Sequence, residues 1–192
     1  MRFQGRIALG PALANTVGVY GVVAIPERKR LYCSNLHTPL LTIIDTDRRA
    51  FSGVVRLEER ELRGLMELAL HPRTGRIYVS SQLNHRLYVV DPGEDRLEGV
   101  IPTLGEPHYV DFDPRSGRIF VACGADNSVL VLDVQHRKLG AVPVGATPWG
   151  IAADPLRRRL YVVCQGEATL WRLHLDSLES LTPPAKLGKM PR

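Results

Sequence analysis

The sequence is poor in cysteine, in aromatic residues and in long apolar runs, and the first and last of these shortages each exclude a class of protein. Three widely spaced cysteines, Cys33, Cys123 and Cys164, form neither a disulfide framework nor a CxxC zinc site, so they are predicted to be free, buried thiols. Aromatic residues make up only 6% of the chain. No apolar run reaches the roughly 20 residues that cross a bilayer, so no membrane partner is predicted.

Catalytic motifs are also lacking. The sequence contains no GxSxG, HExxH, P-loop or GxGxxG pattern, and its six histidines are dispersed along the chain. The sequence therefore predicts no catalytic residue, no metal site and no cofactor.

The charge balance is mildly basic, with a formal net charge of +5 and a pI near 9.4. This is below the density of basic residues typical of nucleic-acid-binding domains, so no nucleic-acid partner is predicted. The apolar stretch near the N-terminus is short and is broken by Gly10 and Pro11, so it is interpreted as structural rather than as a signal peptide. A cytoplasmic location is predicted, and a secreted or periplasmic one is left open.

What the chain does contain is a repeat. Four prolines, at intervals of 46, 42 and 41 residues, are each followed four residues later by arginine and six residues later by an aromatic residue. The prolines are Pro26, Pro72, Pro114 and Pro155, and the aromatics are Tyr32, Tyr78, Phe120 and Tyr161. Each unit divides into four short apolar runs, strands A to D, with the proline in the A–B turn. Four-stranded units of 40–45 residues are the signature of β-propeller blades.

The sequence thus predicts an all-β, single-domain β-propeller of four-stranded antiparallel blades, four in this chain, forming a partial or half ring. The predicted blades cover about residues 17–60, 61–104, 105–145 and 146–180. The last blade lacks a convincing strand D, because two prolines and a lysine-rich end follow it. Residues 2–10 resemble an isolated strand D and are a candidate for closing that blade.

The repeat resembles the YVTN family of β-propeller repeats over roughly residues 17–178. The resemblance lies in "YCSN" at strand B of the first unit and in the linkers "LGEPHYVDFDP" and "VGATPWGIAADP", while the other units replace the asparagine of the motif. It implies a propeller like the seven-bladed members and no particular activity. This chain holds only four units, so it closes as a four-bladed ring, pairs with a second copy or belongs to a longer propeller. Pairing or an incomplete arc is favoured, and self-association is predicted.

In a propeller, the D–A linkers and B–C turns share one face, here called the upper face, and the A–B and C–D turns share the lower face. Polar and aromatic groups that converge on the upper face near the axis predict a ligand-binding site. The predicted ligand-binding residues are Tyr20, His37, His85, His108, Asp126, Trp149 and Glu167. Packing of the channel rim by His108 and Trp149 is the simpler alternative. The many arginines of the lower face alternate with carboxylates and are interpreted as solvated turn charges.

Two functions remain open at this stage. The regular repeat without a catalytic motif favours a non-catalytic scaffold that binds an unknown protein or small-molecule partner through the upper face. A lactonase-like hydrolase that uses the same face is the alternative, because some propeller lactonases look similar and share an "HP" turn like that of His71 and Pro72. Lactone hydrolysis would need a base such as His108 or Glu167.

Overall fold

The computed structural model describes residues 18–58, 64–181 and 184–187. These residues form four separate four-stranded antiparallel sheets, one for each repeat. The predicted all-β partial propeller is therefore confirmed. In the described part of the chain, the only helical residues are three 3₁₀ turns of three residues each.

Each sheet runs A to D in chain order, so that strand A is the inner edge and strand D is the outer edge. Blade 1 contains β1 (Val19–Ile25), β2 (Arg30–Asn35), β3 (Leu40–Asp45) and β4 (Ala50–Arg56). Blade 2 contains β5 (Leu65–Leu70), β6 (Ile77–Ser81), β7 (Arg86–Asp91) and β8 (Arg96–Pro102). Blade 3 contains β9 (Pro107–Phe112), β10 (Ile119–Cys123), β11 (Ser128–Leu132) and β12 (Lys138–Pro143). Blade 4 contains β13 (Pro148–Asp154), β14 (Arg159–Cys164), β15 (Thr169–His174) and β16 (Ala185–Lys186).

Strand D of blade 4 is only two residues long and pairs with the start of β15. The chain after the last C–D turn thus supplies a short fourth strand in spite of its prolines. Residues 2–10, predicted as a closing strand, lie outside the described residues.

The core lies between the blades, because each sheet buries both faces only when another sheet covers it. One cluster joins blades 1 and 2, a second joins blades 2 and 3, and a third joins blades 3 and 4. We call the face that packs on the next blade along the chain the outgoing face, and the opposite one the incoming face. All three cysteines are free and buried, as predicted, and burial raises the pKa of Cys123 to about 12.

The arc is open. The inner strands pack in the order β1, β5, β9, β13, and the pair β13–β1 that would close a four-bladed ring is not among the packed pairs of the described residues. Side chains at the open end of blade 4 are correspondingly exposed. Val163 is 38% exposed, whereas Ser34, Ser80 and Ala122, at the same position of the other blades, are 0% exposed.

Candidate functional site on the inner wall

The upper face is held together by hydrogen bonds between B–C turns and D–A linkers, and these bonds use three of the predicted binding residues. Nδ1 of His85 accepts from the backbone N–H of Glu106 at 3.0 Å. The Asp126 carboxylate accepts from the N–H of Gly105, and the Glu167 carboxylate accepts from that of Ala146. These side chains therefore fix loops and retain at most one free oxygen or nitrogen each.

His108 was predicted at the channel mouth, but it lies buried between blades 3 and 4, only 1% exposed. Its ring stacks on Trp149 with centroids 4.0 Å apart, and it packs so closely on Gly124 that a Cβ there would lie 2.5 Å from the ring. Nδ1–H donates to the carbonyl of Pro148 at 3.2 Å, which leaves Nε2 as a buried nitrogen without a partner in the described structure. His108 and Trp149 thus pack the rim, which is the simpler of the two alternatives.

A β-bulge explains why His108 turns away from the axis. The pairing of strand A with strand B shifts register near the upper end of β9, as it does in each of the other three blades. Because a bulge re-aims the side chains beside it, the residue after His108 reaches the inner wall instead. That residue is Tyr109.

One side chain from each of three successive blades lies at a common point on the inner wall. The side chain of Tyr109 in blade 3 lies within interaction range of Glu67 in blade 2 and of Tyr20 in blade 1. Burial raises the pKa of Glu67, and the interaction with Tyr109 only partly offsets this. Burial likewise raises the pKa of Tyr109, with the Glu67 charge adding to the effect. Of the predicted site residues, only Tyr20 belongs to this cluster, while His37 is exposed on its turn.

A second carboxylate lies two residues further along the same strand. Asp111 follows Tyr109 at the spacing that keeps both side chains on one side of β9. Its Oδ2 accepts from the N–H of Ala153 at 2.7 Å, which ties blade 3 to blade 4 at the inner edge. Burial raises the pKa of Asp111, against the opposing effect of its backbone hydrogen bonds. No ion pair joins Glu67 or Asp111 to a basic side chain within residues 18–58, 64–181 and 184–187.

The sequence reasoning missed Glu67, Tyr109 and Asp111, although a signal was present. Polar residues interrupt two strand-A runs, "LMELAL" and "PHYVDF", at positions where blade 4 has glycine and alanine. An unpaired carboxylate in an inner strand is costly unless it serves a purpose. His108 was predicted at the channel mouth because strand A lines the axis, and the bulge that turns it away is not visible in the sequence.

Two cavities flank the cluster on the open side of blade 4. One of about 230 Å³ is lined by Tyr109 together with β13 and β14, including Ala152 and Tyr161. The other, of about 340 Å³, lies toward the upper face between Trp149, Val163 and Leu187. The inner-wall cluster is therefore continuous with open space at the end of the arc.

On the lower face, six arginines form ion pairs with carboxylates of the described residues. Arg158 forms two hydrogen bonds, of 2.9 and 3.0 Å, with the buried carboxylate of Asp113 and also contacts Asp176. Similar pairs involve Arg30, Arg48, Arg76, Arg137 and Arg157. The interpretation as turn charges agrees with this pairing.

The "HP" turn has a structural role. Nδ1 of His71 accepts from the backbone N–H groups of Arg73 and Thr74 at 3.2 and 3.3 Å, as the carboxylate of Asp113 does in the next blade. Nε2–H donates to the carbonyl of Gly117 at 3.2 Å. Both ring nitrogens are thus occupied in the neutral state, and His71 has no free atom for acid–base chemistry.

We expect stability to fall as the pH is lowered from 7 to 6. Burial lowers the pKa of His71, His108 and His136, so the unfolded chain takes up protons near pH 6.5 before the folded protein does. Stability from this source is complete above about pH 7 and declines below it. His71→Asn, which keeps an acceptor for the turn but cannot titrate, should flatten the slope of the urea midpoint against pH. A slope that stays the same in His71→Asn would contradict this origin of the pH dependence.

In the described residues, no group of three or more histidine, cysteine, aspartate or glutamate side chains is arranged to hold a metal ion. Nor does any helix there have the length and apolarity to cross a membrane.

The fold defines the chain as a partial β-propeller with a polar inner wall. Comparison with solved structures places hydrazine synthase from Kuenenia stuttgartiensis among its neighbours, at a TM-score of 0.76 and 18% identity, over 88% of this chain and 49% of that one. A 6-phosphogluconolactonase-like protein from Bacteroides uniformis matches at a TM-score of 0.76 and 13% identity, over 96% of this chain and 60% of that one. The chain thus spans about half the length of the structures that it matches. No family model and no curated protein matches the sequence.

Proposed function

We propose that the protein is a non-catalytic β-propeller scaffold that binds a small-molecule or protein partner, and that its repeats are of the YVTN type. The convergence of Tyr20, Glu67 and Tyr109 from three blades supports a small-molecule site. A half-buried carboxylate beside a pair of phenols offers both a charge and aromatic surface to a ligand that enters the open arc. The exposed end of blade 4 supports a protein partner.

We expect Glu67→Gln and Tyr109→Phe to weaken ligand binding without unfolding the protein, because both side chains reach the inner wall rather than the core. A panel of small amines, polyols and sugar lactones would be screened by the shift in melting temperature. Loss of about 1.5–3 kcal/mol of binding free energy is expected for a removed charged hydrogen bond. Glu27→Gln, on an exposed A–B turn, is the matched control. Hits that bind both variants as well as the wild type would contradict the proposed site.

A lactonase-like hydrolase is the second candidate, favoured by the raised pKa of Glu67. A carboxylate whose pKa moves toward neutrality is better suited to act as a general base, whereas His108 is buried and already bonded. The test is turnover of sugar lactones and aryl esters. The scaffold proposal expects none. Turnover abolished by Glu67→Gln would replace it with the hydrolase.

The sequence predicts that the chain associates with itself and that its arc is part of a ring like the seven-bladed propellers. Both stay predictions. Both concern what lies beyond the two ends of the arc. Sedimentation at micromolar concentration separates a 21.3 kDa monomer from a pair.

A further inference from the structure

The first interface between blades contains a clamp for a carboxylate. Arg30 and Tyr32, two residues apart on β2, both contact the carboxylate of Asp95 in the C–D turn of blade 2. Tyr32 is 0% exposed, and its hydroxyl also lies 3.3 Å from the carbonyl of Pro92 in that turn. Asp95 holds the left-handed position of the turn, at φ 51°.

In the other two interfaces, the strand-B aromatic residue and the residue of the C–D turn that it faces both change. The hydroxyl of Tyr78 meets Nε2 of His136 at 2.7 Å, and His136 holds the same left-handed position in the C–D turn of blade 3. In the third interface, Phe120 has no hydroxyl, and the left-handed residue is the apolar Leu178, which packs on the same cluster. Arg118 there donates to the carbonyl of Asp176 at 2.8 Å. In each interface, the strand-B aromatic residue on the outgoing face therefore suits the left-handed residue of the next C–D turn: a hydroxyl meets a polar group, and a phenyl ring meets an apolar one.

Blade 4 carries the same clamp without an occupant. Arg159 and Tyr161 repeat the spacing of Arg30 and Tyr32 on β14, at the open end of the arc. Among the described residues, no hydrogen bond or ion pair involves the guanidinium of Arg159 or the hydroxyl of Tyr161. Tyr161 is half-buried, whereas its three counterparts are 0–1% exposed. Arg159 and Tyr161 could thus contact a carboxylate of a further C–D turn, as Arg30 and Tyr32 contact Asp95.

A second copy of this chain is a poor occupant. The left-handed residue in the C–D turn of blade 1 is Arg49, which would bring a second guanidinium to Arg159 where Asp95 meets Arg30. In addition, Cys33, Thr42 and Ile44, at the centre of the incoming face of blade 1, are already buried. Like charge and a covered surface both oppose end-to-end pairing.

We propose that the outgoing face of blade 4 docks a further β-blade, distinct from the four of this arc, whose C–D turn presents a carboxylate to Arg159 and Tyr161. This partner would be the protein ligand of the proposed scaffold, so the inference rests on that function but not on the small-molecule site. The exposed Val163 and the half-buried Leu170 supply the apolar contact that the same positions make in blades 1–3. The neighbouring solved structures, which extend well beyond the matched arc, show that further length is normal for this fold.

The test uses the full chain with a second copy of residues 64–104, blade 2, joined after residue 192. Asp95 of this appended blade is the residue that fills the clamp in the first interface. Tethering raises the local concentration, so that even weak docking becomes measurable. We expect slow amide hydrogen exchange in the appended strands, with protection falling about tenfold or more when the appended copy carries Asp95→Arg.

Matched variants of blade 4 locate the contact. Arg159→Ala and Tyr161→Phe should each lower protection of the appended blade, whereas Arg157→Ala, whose side chain pairs with Asp154 in its own turn, should not. Protection that is absent with Asp95 intact, or equal with Asp95→Arg, would overturn the proposal. So would a dimer of the unmodified chain that Tyr161→Phe dissociates, since a second copy would then be the occupant. Failure of the ligand screen would leave these results unaffected.

Discussion

Asp113→Asn is expected to destabilise the protein by about 3 kcal/mol. Asp113 is 0% exposed and accepts from both Nη1 and Nη2 of Arg158 in blade 4 and from the hydroxyl of Ser116 in its own turn. Removing one partner of a buried pair leaves the other charge uncompensated. This loss of stability is at the lower end of the range for removing one partner of a buried ion pair, because Arg158 keeps its contact with Asp176. Urea denaturation with an unchanged m-value would measure it.

Asp154→Asn is the matched control, because Asp154 occupies the same place in the A–B turn of blade 4. Its carboxylate accepts from the N–H groups of Leu156 and Arg157, as Asp113 does in its own turn, but within the described residues no side chain of another blade pairs with it. A much smaller loss is expected, and the difference between the two variants isolates the contact between blades. Equal losses would show that the turn, not the pair with Arg158, is what matters.

The same pair predicts an acid transition. Burial alone would raise the pKa of Asp113, but the hydrogen bonds from Arg158, Ser116 and the backbone of Arg115 outweigh it and lower this pKa to about 2. A lowered pKa means that the unfolded chain binds the proton first, so this stability is present above about pH 4 and is lost as the pH falls toward 2. The loss should be missing in Asp113→Asn, when the two proteins are titrated side by side.

Gly124→Ala is expected to cost about 3 kcal/mol, at the upper end of the range for overpacking. The added Cβ would lie 2.5 Å from Cε1 of His108, and that ring cannot move freely because it is bonded to Pro148 and stacked on Trp149. Thermal and urea unfolding would measure the loss.

Two strand glycines serve as controls for this substitution. A Cβ at Gly99 or Gly140 would meet nothing within 4 Å, so alanine there should be neutral or slightly stabilising through the unfolded chain. Combining Gly124→Ala with His108→Ala, which removes the clashing ring, should cost less than the sum of the two single changes. Additive losses would mean that the crowding at Gly124 has another source.

The blades were predictable from sequence because their signal is repeated four times. Proline, arginine and an aromatic residue at fixed spacing identify the A–B turn and strand B. The number of units alone left a closed four-bladed ring open beside the favoured incomplete arc. A single hairpin such as "GRIFVACGADNSVLVLDVQ" would not have given the architecture. The pattern is weak in any one unit, and it identifies the blades only because it occurs four times.

The site was less predictable, because it depends on register and on the contacts between blades. Of the predicted residues, Tyr20 alone lies in the inner-wall cluster, and the bulge in β9 brings Tyr109 rather than His108 to that wall. His85, Asp126 and Glu167 have the polarity of ligand-binding groups, but their acceptor atoms are used by neighbouring backbone N–H groups. Composition cannot distinguish a polar group that binds a loop from one that binds a ligand.

The matched aromatic and left-handed residues also bear on how a repetitive chain avoids folding out of order. If a blade docked one position away from its own, the hydroxyl of Tyr78 would be buried against Leu178, or Phe120 would be placed against Asp95. Each such error leaves a buried polar group unpaired, which costs about 1–3 kcal/mol. Repeat proteins are prone to misassembly between similar units. Here the three interfaces differ in chemistry, so each blade packs best on its own neighbour. The blades therefore follow one another around the arc in the same order as along the chain.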